Sequence, residues 1–222
     1  MVKKFIQKND VYELKTGETI YHGTAWEIST PSYFLQLEKI GMIPVVYVVE
    51  DEYVAENHAL NTVYRGLKYR RNKEIMQIPI VMKGVIEKTL RLMDFTYDWD
   101  FIYKGVQYSY YNWFEFQREI IKEYKERDTS IEIEPINLHK SVISNYIDHS
   151  KFDGVYAINS DTNIRKGNLI RYVEIMLFEP KNVMMFEYKF YNEEREKFSI
   201  FMNEEQVLNF FYSLHKNYER GY

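Results

Sequence analysis

The chain predicts an α+β fold in a single domain over residues 1–222, and three observations carry that expectation. Runs of β-branched and aromatic residues between turn signals gather towards both ends of the sequence, at Thr19–Gly23 and Pro44–Val49 and again at Asp153–Ile158, Arg171–Phe178 and Val183–Phe190. Helical spacing of apolar residues gathers in the middle, so helices and strands segregate instead of alternating as in a doubly wound sheet. No repeat, low-complexity tract or Pro/Gly/Ser-rich linker divides the chain, and its five prolines are scattered.

The elements follow in order. Thr19–Gly23 reads as a short strand running into a glycine turn, and Ser32–Ile40 has helical spacing that stops at Gly41. Pro44–Val49 (PVVYVV) is an almost wholly apolar run of strand length. Asp51 stands where an N-cap opens a helix, in which Val54, Ala55, His58, Ala59, Thr62 and Val63 share one face. Arg65–Lys73 is a basic cluster around a tyrosine and reads as a loop. Ile75–Lys83 and Thr89–Phe95 look like strands. Trp113, Phe116, Ile120, Ile121 and Tyr124 recur at spacings of three and four, which predicts a helix over 112–127. Another helix is expected over Leu138–His149, and an amphipathic helix over 203–218 packs on the domain.

Composition narrows the function. The 29 basic and 33 acidic residues leave a net charge of −4, so no global field holds a polyanion and any nucleic-acid contact must come from a local patch. The absence of cysteine removes disulfides, thiolate metal sites and cysteine nucleophiles, and with five histidines and no HExxH no metal is expected. The opening MVKKFIQKNDVYELK has no apolar run of signal-peptide length, and no stretch approaches the ~18 apolar residues of a membrane helix, so the expectation is a cytoplasmic protein without a membrane partner. GxxxxGK[ST], GxGxxG and GxSxG are all missing, which leaves no P-loop, dinucleotide fingerprint or nucleophile elbow.

Three short features stand in a fixed order: His22-Gly23-Thr24 after strand-like residues, Tyr47 inside PVVYVV, and Glu174 inside RYVEIMLF. Tyr47 is followed eleven residues later by His58 on the expected helix, and Glu174 opens a run ending in Asn182-Val183. This ordered set resembles the His–Tyr–Glu class of ADP-ribosyltransferases, the bacterial or phage relatives of diphtheria toxin and the poly(ADP-ribose) polymerases. In that class an HG[ST] motif, a strand tyrosine with a second aromatic eleven residues on, and a strand glutamate surround NAD. His58 departs from the usual tyrosine and Asn182 from the usual glutamine. The resemblance implies a split β-sheet core with flanking helices, NAD as co-substrate, and mono-ADP-ribosyl transfer by a toxin or effector, with an antitoxin or immunity protein as a possible partner.

The chemistry suits these residue types. Breaking the nicotinamide–ribose bond builds an oxocarbenium-like cation, which a carboxylate beside the sugar stabilises, and the resemblance gives that role to Glu174. It implies that the Gly23 backbone clamps the carboxamide, that Tyr47 and His58 wall the ring, and that His22, supported by Thr24, binds ribose hydroxyls. Each residue also has a plain structural account: His22 as a strand-end cap, Tyr47 as a core tyrosine, His58 as a satisfied core histidine. Glu174 is the hardest to explain that way, because by alternation it shares a face with Tyr172, Met176 and Phe178. Arg65, Arg70 and Arg71, with Arg165 and Lys166 in the expected loop Asn159–Asn168 before the glutamate strand, are candidate phosphate contacts to NAD or to an acceptor, either nucleic acid or protein. The E-x-E at Glu132–Glu134 is rejected as a catalytic pair because Pro135 follows and the intervals fit Glu174. An alternative reading is a non-catalytic module on the same fold that binds NAD, ADP-ribose or a nucleic-acid end.

Overall fold

The computed structural model describes residues 11–27, 46–69, 77–96, 99–103, 106–110, 118, 120–123, 126, 147, 149–179, 182–207 and 209–210. Among them the class is α+β, as the segregation of patterns predicts, with two principal sheets and a long helix. The five-stranded sheet has the order β1 (Val11–Leu14), β5 (Leu90–Phe95), β8 (Gly154–Thr162), β9 (Leu169–Leu177), β3 (Val46–Val48). The four-stranded sheet runs β11 (Lys197–Phe198), β10 (Val183–Asn192), β4 (Gln77–Ile86), β2 (Thr19–Glu27). Pairing is antiparallel except between β5 and β8. A separate hairpin joins β6 (Trp99–Tyr103) to β7 (Val106–Tyr110).

The sheets meet edge to edge. Beyond the end of β3, Tyr21 N–H donates to Val49 O at 2.8 Å and Val49 N–H donates to Tyr21 O at 2.9 Å, so one bridge links β2 to the β3 edge. Apolar residues of both sheets, including Leu14, Ile20, Val48, Ile86, Ile175 and Leu177, form a shared core. The other face of the five-stranded sheet packs Met93, Phe95, Val155, Met176 and Phe178 against Ile120 and Ile121, which are helical and lie within the helix expected over 112–127.

Helix α1 (Glu52–Tyr69) starts as the sequence predicts. Asp51 Oδ1 accepts from the N–H groups of Tyr53 at 2.7 Å and Val54 at 3.2 Å, the geometry of an N-cap. Its buried face is broader than expected: Thr62 is exposed, while Asn57, Leu60 and Asn61 are buried with Val54, Ala55, Ala59 and Val63. The expected loop does not begin at Arg65, because α1 runs through to Tyr69. Arg, Leu and Lys are good helix formers, and cations in a last turn complement the helix dipole. No turn occurs at Gly23 either. β2 continues to Glu27, paired residue for residue with β4 from Thr19↔Val85 to Glu27↔Gln77.

Asn159–Asn168 is likewise not a long loop. Strand β8 continues to Thr162 and the chain reverses over Asn163–Asn168, where Gly167 takes a left-handed φ of 70° that suits glycine. The expected helices over 32–40 and 138–149 lie outside the described residues, apart from Ile147 and His149, which sit in a bend and a turn. Of the helix expected over 203–218, residues 204–207 and 209–210 are helical. It opens with a capping box in which Asn203 Oδ1 accepts from Gln206 N–H at 3.0 Å and Gln206 Oε1 accepts from Asn203 N–H at 2.9 Å.

Candidate active site

The seam between the sheets carries the three features that the sequence singles out. β2 presents His22, Gly23 and Thr24; β3 presents Tyr47; β9, the neighbour of β3, presents Glu174. Tyr47 pairs across with Met176, so Glu174, two residues along β9, lies diagonally from Tyr47 on the same sheet face. His22 Nδ1 lies 2.6 Å from Tyr47 O. A carbonyl oxygen only accepts, so Nδ1 carries the proton and the imidazole is held in one orientation against β3.

Electrostatics tie Glu174 to the same place. Burial pushes the Tyr47 phenol well above its usual value, and the negative charge of Glu174 pushes it further in the same direction. The carboxylate is itself held from β8: Asn159 Nδ2 donates to Glu174 Oε2 at 2.9 Å. In the strand register Ala157 faces Glu174 and Asn159 faces Tyr172, which makes Asn159 a same-face diagonal neighbour of the acid. The sequence reading missed Asn159. An asparagine in a strand carries no local signal, and only the β8–β9 register brings it to the carboxylate.

Gly23 is enclosed by α1. A Cβ there would stand 1.9 Å from Ala55 O and 3.0 Å from Ala59 N, so the helix backbone packs directly on the glycine. Peptide direction alternates along a strand, and Tyr21 directs its N–H and C=O at Val49; those of Gly23, two residues on, therefore face the seam as well. The close approach of the helix backbone thus requires glycine here, and the seam-facing peptide groups lie beneath it. Thr24 is half-buried on the His22 side of the neighbouring residues, opposite Ile80.

His58, on the face of α1 turned to the sheets, meets Tyr172 edge-on with ring centroids 4.8 Å apart. Tyr172 stands two residues before Glu174 on β9, so α1 and the glutamate strand touch beside the acid. Buried amides of α1 also lock it to the end of β8 and to the turn beyond. Asn57 Nδ2 donates to Thr162 O at 3.1 Å while its Oδ1 accepts from Ile164 N–H at 2.9 Å, and Asn61 Nδ2 donates to Asp161 Oδ2 at 2.8 Å.

The cations divide. Arg165 is drawn back onto the protein, 3.6 Å from Glu56 and 5.7 and 5.8 Å from the rings of Tyr191 and Phe198. Lys166 is exposed at the turn. Arg65 lies in α1, and Arg70 and Arg71 lie outside the described residues, as does the Glu132–Glu134 segment. Among the described residues no group of three or more His, Asp or Glu side chains is placed to hold a metal, and no helix is long and apolar enough to cross a membrane. Comparison with known proteins finds no matching family, no matching curated protein and no matching solved structure.

Proposed function

We propose that the chain is an NAD-dependent mono-ADP-ribosyltransferase that cleaves the nicotinamide–ribose bond and passes ADP-ribose to a nucleic acid or protein, as a toxin or effector enzyme. The observation that carries this reading is the convergence of His22, Tyr47 and Glu174, from three strands of two sheets, on one seam. The proposed division of labour follows from their chemistry. The Glu174 carboxylate accepts from a ribose hydroxyl and stabilises the cation that develops at the sugar as nicotinamide departs. Tyr47 and His58 supply flat walls for the pyridine ring, and the seam-facing peptide of Gly23 offers a donor and an acceptor to its carboxamide. His22 binds a ribose hydroxyl from its fixed orientation. Among the candidate acceptor contacts, Lys166 is the described cation best exposed to meet a phosphate, since Arg165 is paired within the fold.

The test is incubation with NAD labelled in the adenylate, together with lysate protein, RNA or DNA, followed by separation of the labelled acceptor and assay of free nicotinamide. Label transfer that disappears in Glu174→Gln is the expected result. Binding of NAD with no nicotinamide release would instead identify a non-catalytic module, and neither binding nor release would overturn both readings.

A further inference from the structure

We infer that Asn159 is a positioning residue: its side-chain amide, reaching across from β8, sets the orientation and the ionised state of the Glu174 carboxylate. The contact is Nδ2 to Oε2 at 2.9 Å between half-buried side chains. A donor fixed on the neighbouring strand limits how the carboxylate turns about its terminal bonds and favours the charged form over the protonated one.

Asn159 is well placed for this because the strand that carries it is anchored. It pairs with Tyr172 in the β8–β9 ladder, and three residues later Thr162 O accepts from Asn57 and Asn61 of α1, at 3.1 Å in each case. The turn beyond is pinned in turn, with Asn163 Oδ1 accepting from Arg165 N–H and Lys166 N–H at 3.0 Å each. The amide is therefore a rigid arm on the β8–β9 hairpin and not a loop side chain that arrives with substrate. Tyr47 from β3 opposes it: the phenol faces Glu174 from the other neighbouring strand and keeps its proton, so Asn159 supplies the polar support from β8. The contact stands on geometry alone; its catalytic consequence rests on the role proposed above for Glu174.

Replacing Asn159 by Leu keeps the shape and removes the donor. The carboxyl of Glu174, followed by carbon-13 NMR in the full chain, should then titrate higher by roughly half a pH unit or more. The rate constant for NAD cleavage should fall about tenfold or more while KM for NAD stays within about twofold, because a misdirected carboxylate weakens the transition state more than the ground state. Asn159→Ser, which keeps a donor on a shorter arm, should recover part of both and guards against a Leu variant that folds poorly. An unchanged Glu174 titration, with or without a lowered Tm, overturns the inference. If the titration moves but the wild-type chain never consumes NAD, the positioning contact stands and the transferase reading falls. If wild-type and Asn159→Leu cleave NAD at the same rate, the transferase reading stands and the catalytic role of Asn159 falls.

Discussion

At the scale of single residues, the phenols report the environment most directly. Tyr47 and Tyr156 both lie above the ordinary tyrosine value of 10.0, Tyr47 through burial and then the charge of Glu174, Tyr156 through burial and then the charge of Glu50. A phenol that keeps its proton longer when folded contributes stability below the unfolded value, and that contribution is lost as pH climbs above it. The folded protein is therefore expected to lose stability from about pH 10 upwards, and the tyrosinate absorbance of these two residues should appear only with unfolding. A pH titration followed by ultraviolet absorbance and circular dichroism checks both. Glu174→Gln removes charge with little change of shape. Under the proposed function it should lower kcat roughly a hundredfold or more while leaving NAD affinity nearly unchanged, measured by nicotinamide release and by calorimetry.

At the scale of elements, α1 decides the geometry of the seam. It crosses β2 where Gly23 has no side chain, and its first turns clasp Lys189 of β10, a lysine 3% exposed that donates to Glu52 and, at 2.6 Å, to Glu56. Gly23→Ala would drive a methyl group into the Ala55 carbonyl, so α1 must lift or β2 must bend. The expected cost is about 2–3 kcal/mol in denaturant unfolding and, under the proposed function, loss of NAD binding because His58 moves with the helix. Lys189→Ala leaves Glu56 part-buried with Arg165 as its one cationic partner among the described residues, and a loss of about 2 kcal/mol or more is expected in the same measurement. Asp51→Ala removes only the N-cap and should cost about 1 kcal/mol. The three costs separate a packing clash, a broken charge network and a lost cap within one helix.

At the scale of the whole molecule, two sheets share a core but exchange backbone hydrogen bonds at one described bridge, Tyr21–Val49. A ligand lodged along that seam touches both sheets and so stabilises their union. Under the proposed function, saturating NAD should raise Tm by an amount corresponding to about 2.7 kcal/mol at a hundredfold excess over Kd, and Glu174→Gln should keep most of that rise while losing turnover. A calorimetric scan with and without NAD tests this, and an unmoved Tm in both proteins counts against a dinucleotide at the seam.

The sequence by itself determined what depends on neighbours a few residues away. The strand at Val46–Val48 inside its apolar run, the N-cap at Asp51 and the isolated acid on the apolar face of β9 were all legible, because alternation, helical spacing and capping are local. The same local reading ended β2 at Gly23 and α1 before Arg65, and both proved longer. A glycine reads as a turn until a helix backbone is found lying on it, and a basic cluster reads as a loop until it is seen to finish a helix. Only the tertiary structure decided that Tyr47 would lie diagonal to Glu174, that Asn159 would hold the carboxylate, and that Arg165 would turn inward to Glu56. Those outcomes depend on strand register and on the order of strands in two sheets, which are set by pairings between residues far apart in the chain and leave no periodic trace in any short segment.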